Sequence, residues 1–213
     1  GLDQNQIIEK EIDNVLKNSL AMPEKVLVTD NLPSDTWHGW KWIDFGPDDK
    51  LYVPVGAPCN ICNPSMEEKY NFDKRYASIM RLNNDDWEFV ARGVRNTVGF
   101  DWHPKTNNLY FGDNGRDWMG DDMPACELNV VNENDSFYGY PYKHAMNVLD
   151  PEYSKKIPNG MEEFIDPILE LGAHVAPTGL SFYDGDLFPA KYKNVLFMTL
   201  HGSWNRSRKV GYK

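Results

Sequence analysis

The chain has 213 residues, and its 32 Asp and Glu outnumber its 22 Lys and Arg, so that the formal net charge is −10. Binding nucleic acid or an anionic membrane as the main activity requires a basic surface, which this composition does not supply. Hydrophobic residues make up 41% and aromatic residues 13% of the chain, enough for one sizeable core. No apolar run approaches the length of a membrane span. We therefore expect a globular protein that binds no nucleic acid and has no membrane span.

Apolar periodicity predicts one helix and then a series of short strands. Between Ile7 and Leu20 the apolar residues fall on one helical face, and Pro23 ends the pattern. Downstream, short apolar segments alternate with Gly, Pro, Asn and Asp, which is typical of strands and turns. The predicted strands cover residues 25–29, 42–45, 51–55, 76–82, 87–93, 98–102, 109–113, 178–183, 194–200 and 210–213.

The strand pattern repeats along the chain. A hairpin around Gly46 recurs around His103, and a related hairpin with a longer linker follows Thr178. Four-stranded units that repeat every ~40–50 residues, or more with loop insertions, are typical of β-propeller blades. The irregular spacing leaves a β-sandwich as the alternative. We predict an all-β fold, a β-propeller of which residues 1–213 form about three blades of a single domain.

The cysteines leave several states open. Three cysteines do not make a disulfide scaffold, and Cys59 and Cys62 lack the further ligands of a zinc site. Pro58 and Pro64 place this pair in a loop and not at a helix N-terminus, which disfavours redox catalysis. A local disulfide and two reduced thiols remain the main alternatives.

Several polar residues stand at the ends of predicted strands. His38, between Trp37 and Trp40, precedes the first hairpin, where a neutral imidazole can serve as a general base or can bond to the backbone. Arg95 and Asn96 precede a later strand and are suited to hold a carboxylate-bearing ligand, although a structural arginine is the simpler interpretation. Corresponding positions in the third repeat carry His174, His201 and Arg206.

The segment from residue 113 to 127 is rich in carboxylates and glycines. Calcium takes roughly six to eight oxygen ligands, including backbone carbonyls that such a loop can turn inwards. The spacing is not that of an EF-hand, and a solvated acidic loop is the alternative. The carboxylates are Asp113, Asp117, Asp121, Asp122 and Glu127.

Longer motifs covering nearly the whole chain resemble the glucose/sorbosone dehydrogenase family, in its sorbosone-dehydrogenase-like branch. They are HGWK at 38–41, KLYVPVGAPCNIC at 50–62, GVRNTVGFDWHP at 93–104, DNGRDWMGDD at 113–122, HVAP at 174–177 and HGSWNRS at 201–207. The resemblance implies a six-bladed propeller of the soluble quinoprotein type, periplasmic or secreted. It also implies oxidation of an aldose or sugar aldehyde with pyrroloquinoline quinone (PQQ) and calcium, and an external electron acceptor.

The resemblance further implies roles for individual residues. His38 would be the general base during hydride transfer to the quinone, and Arg95 would stabilise the developing negative charge. Trp37, Val98 and Cys126 stand where polar residues are usual in the family's glucose dehydrogenases. Implied cofactor contacts fall on Arg95, Asn96, Asn114, His174, His201 and Arg206, and implied calcium ligands on Gly115, Arg116 and Glu127.

Two other classes of function remain open, as does the extent of the chain. A calcium-dependent propeller hydrolase such as a lactonase would use the same channel and acidic loop. A propeller that only binds a sugar or a protein is the second alternative. Because a closed ring requires more blades than about three, we expect a chain truncated at both ends, completed by more of its own sequence or by another chain or copy. We do not expect this segment alone to bind the quinone tightly.

Overall fold

The computed structural model describes residues 26–161 and 163–212, so the helix predicted at residues 7–20 lies outside the described residues. The chain divides into two compact units, residues 1–32 and 33–213. In the first unit, residues 26–32 form no strand, so the strand prediction is wrong for residues 26–29. Apolar, β-branched side chains favour a strand only where a neighbouring strand accepts its hydrogen bonds and packs against it.

Short strands make up the second unit, and no helix in the described residues is long and apolar enough to cross a membrane. Within residues 26–161 and 163–212, four single-turn 3₁₀ helices cover Pro64–Met66, Glu68–Tyr70, Ser154–Lys156 and Ala190–Tyr192. The strands in the described part of the chain are β1 (Asp44–Phe45), β2 (Leu51–Val55), β3 (Ser78–Asn83), β4 (Asp86–Arg92), β5 (Phe100–Trp102), β6 (Leu109–Asp113), β7 (Ala125–Val130), β8 (Ser136–Phe137), β9 (Lys143–His144), β10 (Val148–Leu149), β11 (Leu169–Ala173), β12 (Pro177–Phe182) and β13 (Leu196–Leu200).

The first sheet is an antiparallel meander of β1 to β4, with β8 added parallel to β4. Its turns lie where they were predicted. They contain Asn or Asp, which tolerate the left-handed backbone that tight turns require. Asp49 has a φ of 57° in the turn between β1 and β2, and Asn84 has a φ of 56° between β3 and β4. The predicted hairpins are confirmed here, although β1 starts at Asp44 and not at Trp42.

The second sheet has the order β11-β7-β6-β5 and contains a long insertion. The chain leaves the sheet after β7, forms β8 and the small β9–β10 hairpin, and returns as β11. The strand register shifts between Glu170 and Gly172 where β11 pairs with β7. Sequence patterns predicted neither β7 nor β11.

A third hairpin, β12–β13, follows the second sheet. Gly99 allows the chain to pass close to it, since a Cβ on Gly99 would lie 2.5 Å from the Thr178 carbonyl oxygen. Residues 210–212 form no strand, so the predicted final strand is wrong over its described part. Two meanders and one hairpin account for about three blades, and the all-β prediction is confirmed.

The main core lies between the first two sheets. Ile79 and Val90 of the first sheet pack with Phe100 and Phe111 of the second, and all four are at most 1% exposed. Tyr138, from the insertion, completes this cluster and stacks edge-on against Phe111. The core therefore fixes the first two sheets against each other, and with them the strand ends that carry polar residues.

Candidate functional site

A cavity of about 240 Å³ opens beside these strand ends. It brings together residues that are far apart in the sequence, since its wall includes segments before β1, before β5, after β6 and before β12. Six of the predicted site residues line it: His38, Arg95, Asn96, Asn114, Gly115 and His174.

His38 presents an unprotonated nitrogen. Its Nδ1 lies 2.7 Å from the Ala57 carbonyl oxygen, and because a carbonyl only accepts, Nδ1 carries the proton. The described residues provide no partner for Nε2, which is left with a free lone pair. Burial, with the positive charge of Arg95, lowers the pKa of His38 from 6.5 to about 3, although the Ala57 hydrogen bond opposes the shift. His38 is therefore neutral at physiological pH.

Arg95 uses all of its donors within the protein. A guanidinium has five N–H groups, and two of them go to Asn60, at its carbonyl and its Oδ1, both at 2.8 Å. Nη1 donates to the carbonyls of Asn114 and Gly115, at 3.1 and 3.0 Å, and Nη2 donates to Asp117 Oδ2 at 3.3 Å. Arg95 therefore contributes positive charge to the cavity and no free N–H group.

Asn96 is held by a half-buried lysine that the sequence analysis did not assign to the site. Lys41 Nζ donates to Asn96 Oδ1 and to the Thr97 carbonyl, at 2.5 and 2.8 Å. Burial lowers the pKa of Lys41 from 10.5 to about 7, with Asp113 opposing and Arg95 adding to the shift. Because Oδ1 faces Lys41, the NH₂ group of Asn96 is left without a partner in the described part of the chain.

Asp113 fixes the backbone of the Arg95–Asn96 pair. Its two carboxylate oxygens accept the N–H groups of Arg95 and Asn96, at 2.8 and 2.6 Å. The carboxylate is buried, which raises its pKa above the usual value. Sequence analysis placed Asp113 in a calcium loop, whereas the structure uses its carboxylate to orient two cavity residues.

Of the three predicted calcium ligands, Arg116 and Glu127 do not line the cavity. Gly115 lines the cavity, but Glu127 accepts hydrogen bonds from Ala145 N–H and Asn129 Nδ2, at 2.6 and 3.0 Å, and does not line it. The Arg116 side chain donates a hydrogen bond to Asp150. No group of three or more His, Cys, Asp or Glu in the described residues is placed to hold a metal. Their role as ligands stays a prediction.

A buried ionic cluster supports the loop that follows β6. Asp150 is fully buried and accepts hydrogen bonds from Arg116 Nη1 at 2.5 Å and His144 Nε2 at 2.9 Å. Burial opposes ionisation, but these hydrogen bonds hold the pKa of Asp150 well below its usual value. The cluster anchors residue 116 next to the cavity residues Gly115 and Asp117.

The remaining predicted contacts differ in position. His174 is buried, its Nε2 donates to the Gly120 carbonyl at 2.8 Å, and its Nδ1 lies 3.9 Å from Asp117 Oδ1. His201 is exposed and does not line the cavity. Arg206 instead holds the acidic loop, through the Asp121 carbonyl and through Asp122 Oδ1 at 2.8 Å. The structure therefore brings His174 to the cavity, but neither His201 nor Arg206.

Three further residues contribute to the site, and sequence reasoning assigned none of them the role that the structure gives it. Lys41 stands in the HGWK motif three residues after His38, and Asp117 stands in the acidic loop, so both lay within quoted motifs. Asn60 lies between Cys59 and Cys62, which form a disulfide. The local disulfide is thus confirmed among the open alternatives for this pair.

Comparisons with known proteins concern the family and the fold of the chain. The family model described as Glucose / Sorbosone dehydrogenase matches residues 3–204. An uncharacterized protein of Borreliella burgdorferi is 39% identical over 211 residues, which are 97% of this chain and 53% of that protein. The chain thus spans about half the length of this curated relative.

Two solved structures show the fold. The holo form of the pyranose dehydrogenase PQQ domain from Coprinopsis cinerea has a TM-score of 0.63 and 21% identity, over 80% of this chain and 50% of that one. The calcium structure of the family AA12 enzyme from Trichoderma reesei has a TM-score of 0.59 and 19% identity over the same shares. These similarities confirm a partial β-propeller. With the match over residues 3–204, the chain belongs to the glucose/sorbosone dehydrogenase family.

Proposed function

We propose that this chain is part of a PQQ-dependent dehydrogenase that oxidises an aldose or a related sugar aldehyde, with His38 as the general base. The observation that carries the proposal is the state of His38, whose Nδ1 is tied to Ala57 while Nε2 stays unprotonated at the cavity wall. Membership of the family supports a sugar dehydrogenase. The similarity in fold to the PQQ domain of a pyranose dehydrogenase supports the cofactor.

The polar wall of the cavity fits an anionic quinone. Arg95 places positive charge there, which its pairing with Asp117 offsets in part, and the NH₂ group of Asn96 is available to donate to a ligand oxygen. When bound, PQQ would supply an electrophilic quinone that accepts a hydride. His38 Nε2 would accept the proton of the sugar hydroxyl, and Arg95 would stabilise negative charge through space because its N–H groups are all used. Asn114 and His174 line the same wall and are the further proposed cofactor contacts.

The low pKa of His38 also fits an anionic ligand. Burial and the charge of Arg95 disfavour the imidazolium in the unliganded protein. A negatively charged group in the cavity would offset that positive charge and raise the pKa of His38 toward its usual value. The base would then be strongest when the cofactor is bound.

Calcium belongs to the proposal only as a cofactor of the family. The similarity to the calcium structure of the Trichoderma reesei enzyme supports it. However, the Gly115 carbonyl already accepts from Arg95, and Glu127 lies away from the cavity. The role of Gly115, Arg116 and Glu127 as calcium ligands stays a proposal, and we assign no step to the ion.

We further propose a periplasmic or secreted location and an external electron acceptor. The Cys59–Cys62 disulfide supports the location, because disulfides persist mainly in oxidising compartments. The remaining blades would come from a longer reading frame, from another chain or from a second copy.

The test is dye reduction by the protein encoded by the complete reading frame, reconstituted with PQQ and calcium. We expect sugar-dependent reduction that is lost in His38→Ala and retained in His103→Ala. His103 is the matched control, because its ring Nδ1 accepts hydrogen bonds in a turn that does not line the cavity. Retained activity in His38→Ala would exclude His38 as the base, and hydrolysis of a sugar lactone without quinone would instead indicate a hydrolase.

A further inference from the structure

The loop of residues 59–62, which we call the disulfide loop, follows β2 and contacts residues that line the cavity. The disulfide between Cys59 and Cys62 closes it. Cys62 is buried and its backbone N–H donates to the Tyr140 hydroxyl at 3.1 Å, so the loop is anchored at its C-terminal end. Cys59, at the other end, is partly exposed.

Asn60 links this loop to two residues of the cavity wall. Its side chain pairs with the backbone of Asp117, because Oδ1 accepts the Asp117 N–H at 2.8 Å and Nδ2 donates to the Asp117 carbonyl at 3.1 Å. Its carbonyl and Oδ1 also accept two of the N–H groups of Arg95. Asn60 itself does not line the cavity, so it acts through Arg95 and Asp117.

This set of contacts requires an amide side chain. An amide carries an acceptor and donors on one planar group, which the two Asp117 contacts require together. Aspartate keeps the acceptors but loses the donor to the Asp117 carbonyl. Alanine loses every side-chain contact and leaves a buried Arg95 N–H without a partner, which is costly for a charged group.

The segment before the disulfide loop also holds His38 and Arg95. The Ala57 carbonyl accepts the His38 Nδ1 proton, and the Ala57 N–H donates to the Arg95 carbonyl at 2.8 Å. Residues 57–60 therefore touch His38, Arg95 and Asp117. A change in the backbone of this segment would move all three cavity residues.

We propose that Asn60 is a positioning residue of the cavity and that the Cys59–Cys62 disulfide holds it in place, so that reduction of the disulfide loosens Arg95 and Asp117. A dithiol such as dithiothreitol would cleave the S–S bond, leave two thiols and become a cyclic disulfide itself. Without the cross-link, the backbone at residue 60 gains conformations in which the four contacts are not made together. This role of Asn60 and the disulfide does not depend on the nature of the ligand. Only the measurement of PQQ binding in the test rests on the proposed function.

The test is amide hydrogen exchange at Asp117, followed by mass spectrometry on the full-length protein. Asn60→Ala and the double variant Cys59→Ser/Cys62→Ser should lower the protection of the Asp117 N–H by about 10-fold or more. Asn60→Asp should give a smaller loss, and it keeps the test valid if Asn60→Ala does not fold. Asn132→Ala is the matched control, because Asn132 only accepts a side-chain bond from Asn108 at an exposed turn.

Dithiothreitol supplies the redox arm of the same test. It should lower Asp117 protection in the wild type and have no further effect in the double serine variant. PQQ titration of the same samples should show weaker binding wherever protection falls. Unchanged protection in Asn60→Ala, or in wild type whose thiols are shown by mass to be reduced, would overturn the inference. Failure of the wild type to bind PQQ would refute the proposed function. The hydrogen-exchange result would then still decide whether Asn60 and the disulfide position Asp117.

Discussion

Substitution of Gly56 by alanine should displace His38. A Cβ on Gly56 would lie 2.6 Å from His38 Cβ and 2.9 Å from both the His38 carbonyl oxygen and Lys41 Nζ. Carbon atoms pack at about 3.5–4.0 Å, so His38 must shift by roughly 1 Å. His38 has little freedom to adapt in place, because its φ of 52° is already a left-handed conformation.

That shift has two calculable consequences. Moving the ring by roughly 1 Å would stretch the 2.7 Å bond from Nδ1 to the Ala57 carbonyl beyond hydrogen-bond range. The tautomer of His38 would no longer be fixed, and a misplacement of this size can cost ~10²-fold in rate. Overpacking alone should lower the free energy of unfolding by about 1–3 kcal/mol.

Two measurements on the full-length protein check this prediction, sugar-dependent dye reduction and urea unfolding. The matched control is Gly185→Ala, where a Cβ would lie 2.9 Å from the flexible Tyr183 ring, away from the cavity. We expect Gly56→Ala to lose activity by far more than its loss of stability explains, and Gly185→Ala to stay active. Full activity in Gly56→Ala, or an equal loss in Gly185→Ala, would refute the reasoning about His38.

Two further predictions concern buried carboxylates. Asp150→Asn removes the buried counterion of Arg116 and leaves it paired with the exposed Glu152, which should lower the free energy of unfolding by about 3 kcal/mol in urea titrations, whereas the exposed Asp166→Asn should cost at most about 1 kcal/mol. Burial and the nearby Asp113 raise the pKa of Glu127 from 4.5 to about 8, so the folded protein keeps a proton that the unfolded chain releases. Stability should therefore fall as the pH rises from about 4.5 to 8, and Glu127→Gln should flatten this dependence; an equally steep curve in that variant would contradict the assignment.

The sequence was sufficient for hairpins whose turns carry specific residues. The turns at Asp49, Asn84 and Asn107 all contain left-handed Asn or Asp, and the strands on both sides were predicted from these signals. The segments at 26–29 and 210–212 had strand-like residues but form no strand. Whether such a segment forms a strand depends on a neighbouring strand that pairs with it, and the local sequence does not show whether one is present.

Strands separated from their partners by a long insertion were not predictable. In β7, the buried positions include Glu127 and Asn129, so the strand lacks the apolar alternation that a sequence pattern detects. β11 follows an insertion and carries an irregular register near Gly172. Their pairing depends on the return of the chain after that insertion.

Site residues that lie in recognisable motifs could be predicted from the sequence. Residues that join the site through contacts distant in the sequence could not. His38, Arg95, Asn96 and His174 came from family motifs, and all four line the cavity. Asn60 meets Arg95 across 35 residues of sequence and Asp117 across 57. A contact between residues so far apart in the sequence produces no periodic pattern, so it can be found only in the three-dimensional structure.

We propose above that His38 removes a proton from a sugar while hydride passes to a bound quinone. The most direct measurement is the absorbance spectrum of the full-length protein loaded with PQQ, recorded without dye after one addition of aldose. We predict that the spectrum of the wild type changes from oxidised to reduced cofactor and that His38→Ala keeps the oxidised spectrum. No change in the wild type with PQQ bound, or reduction at the same rate in His38→Ala, would contradict the account.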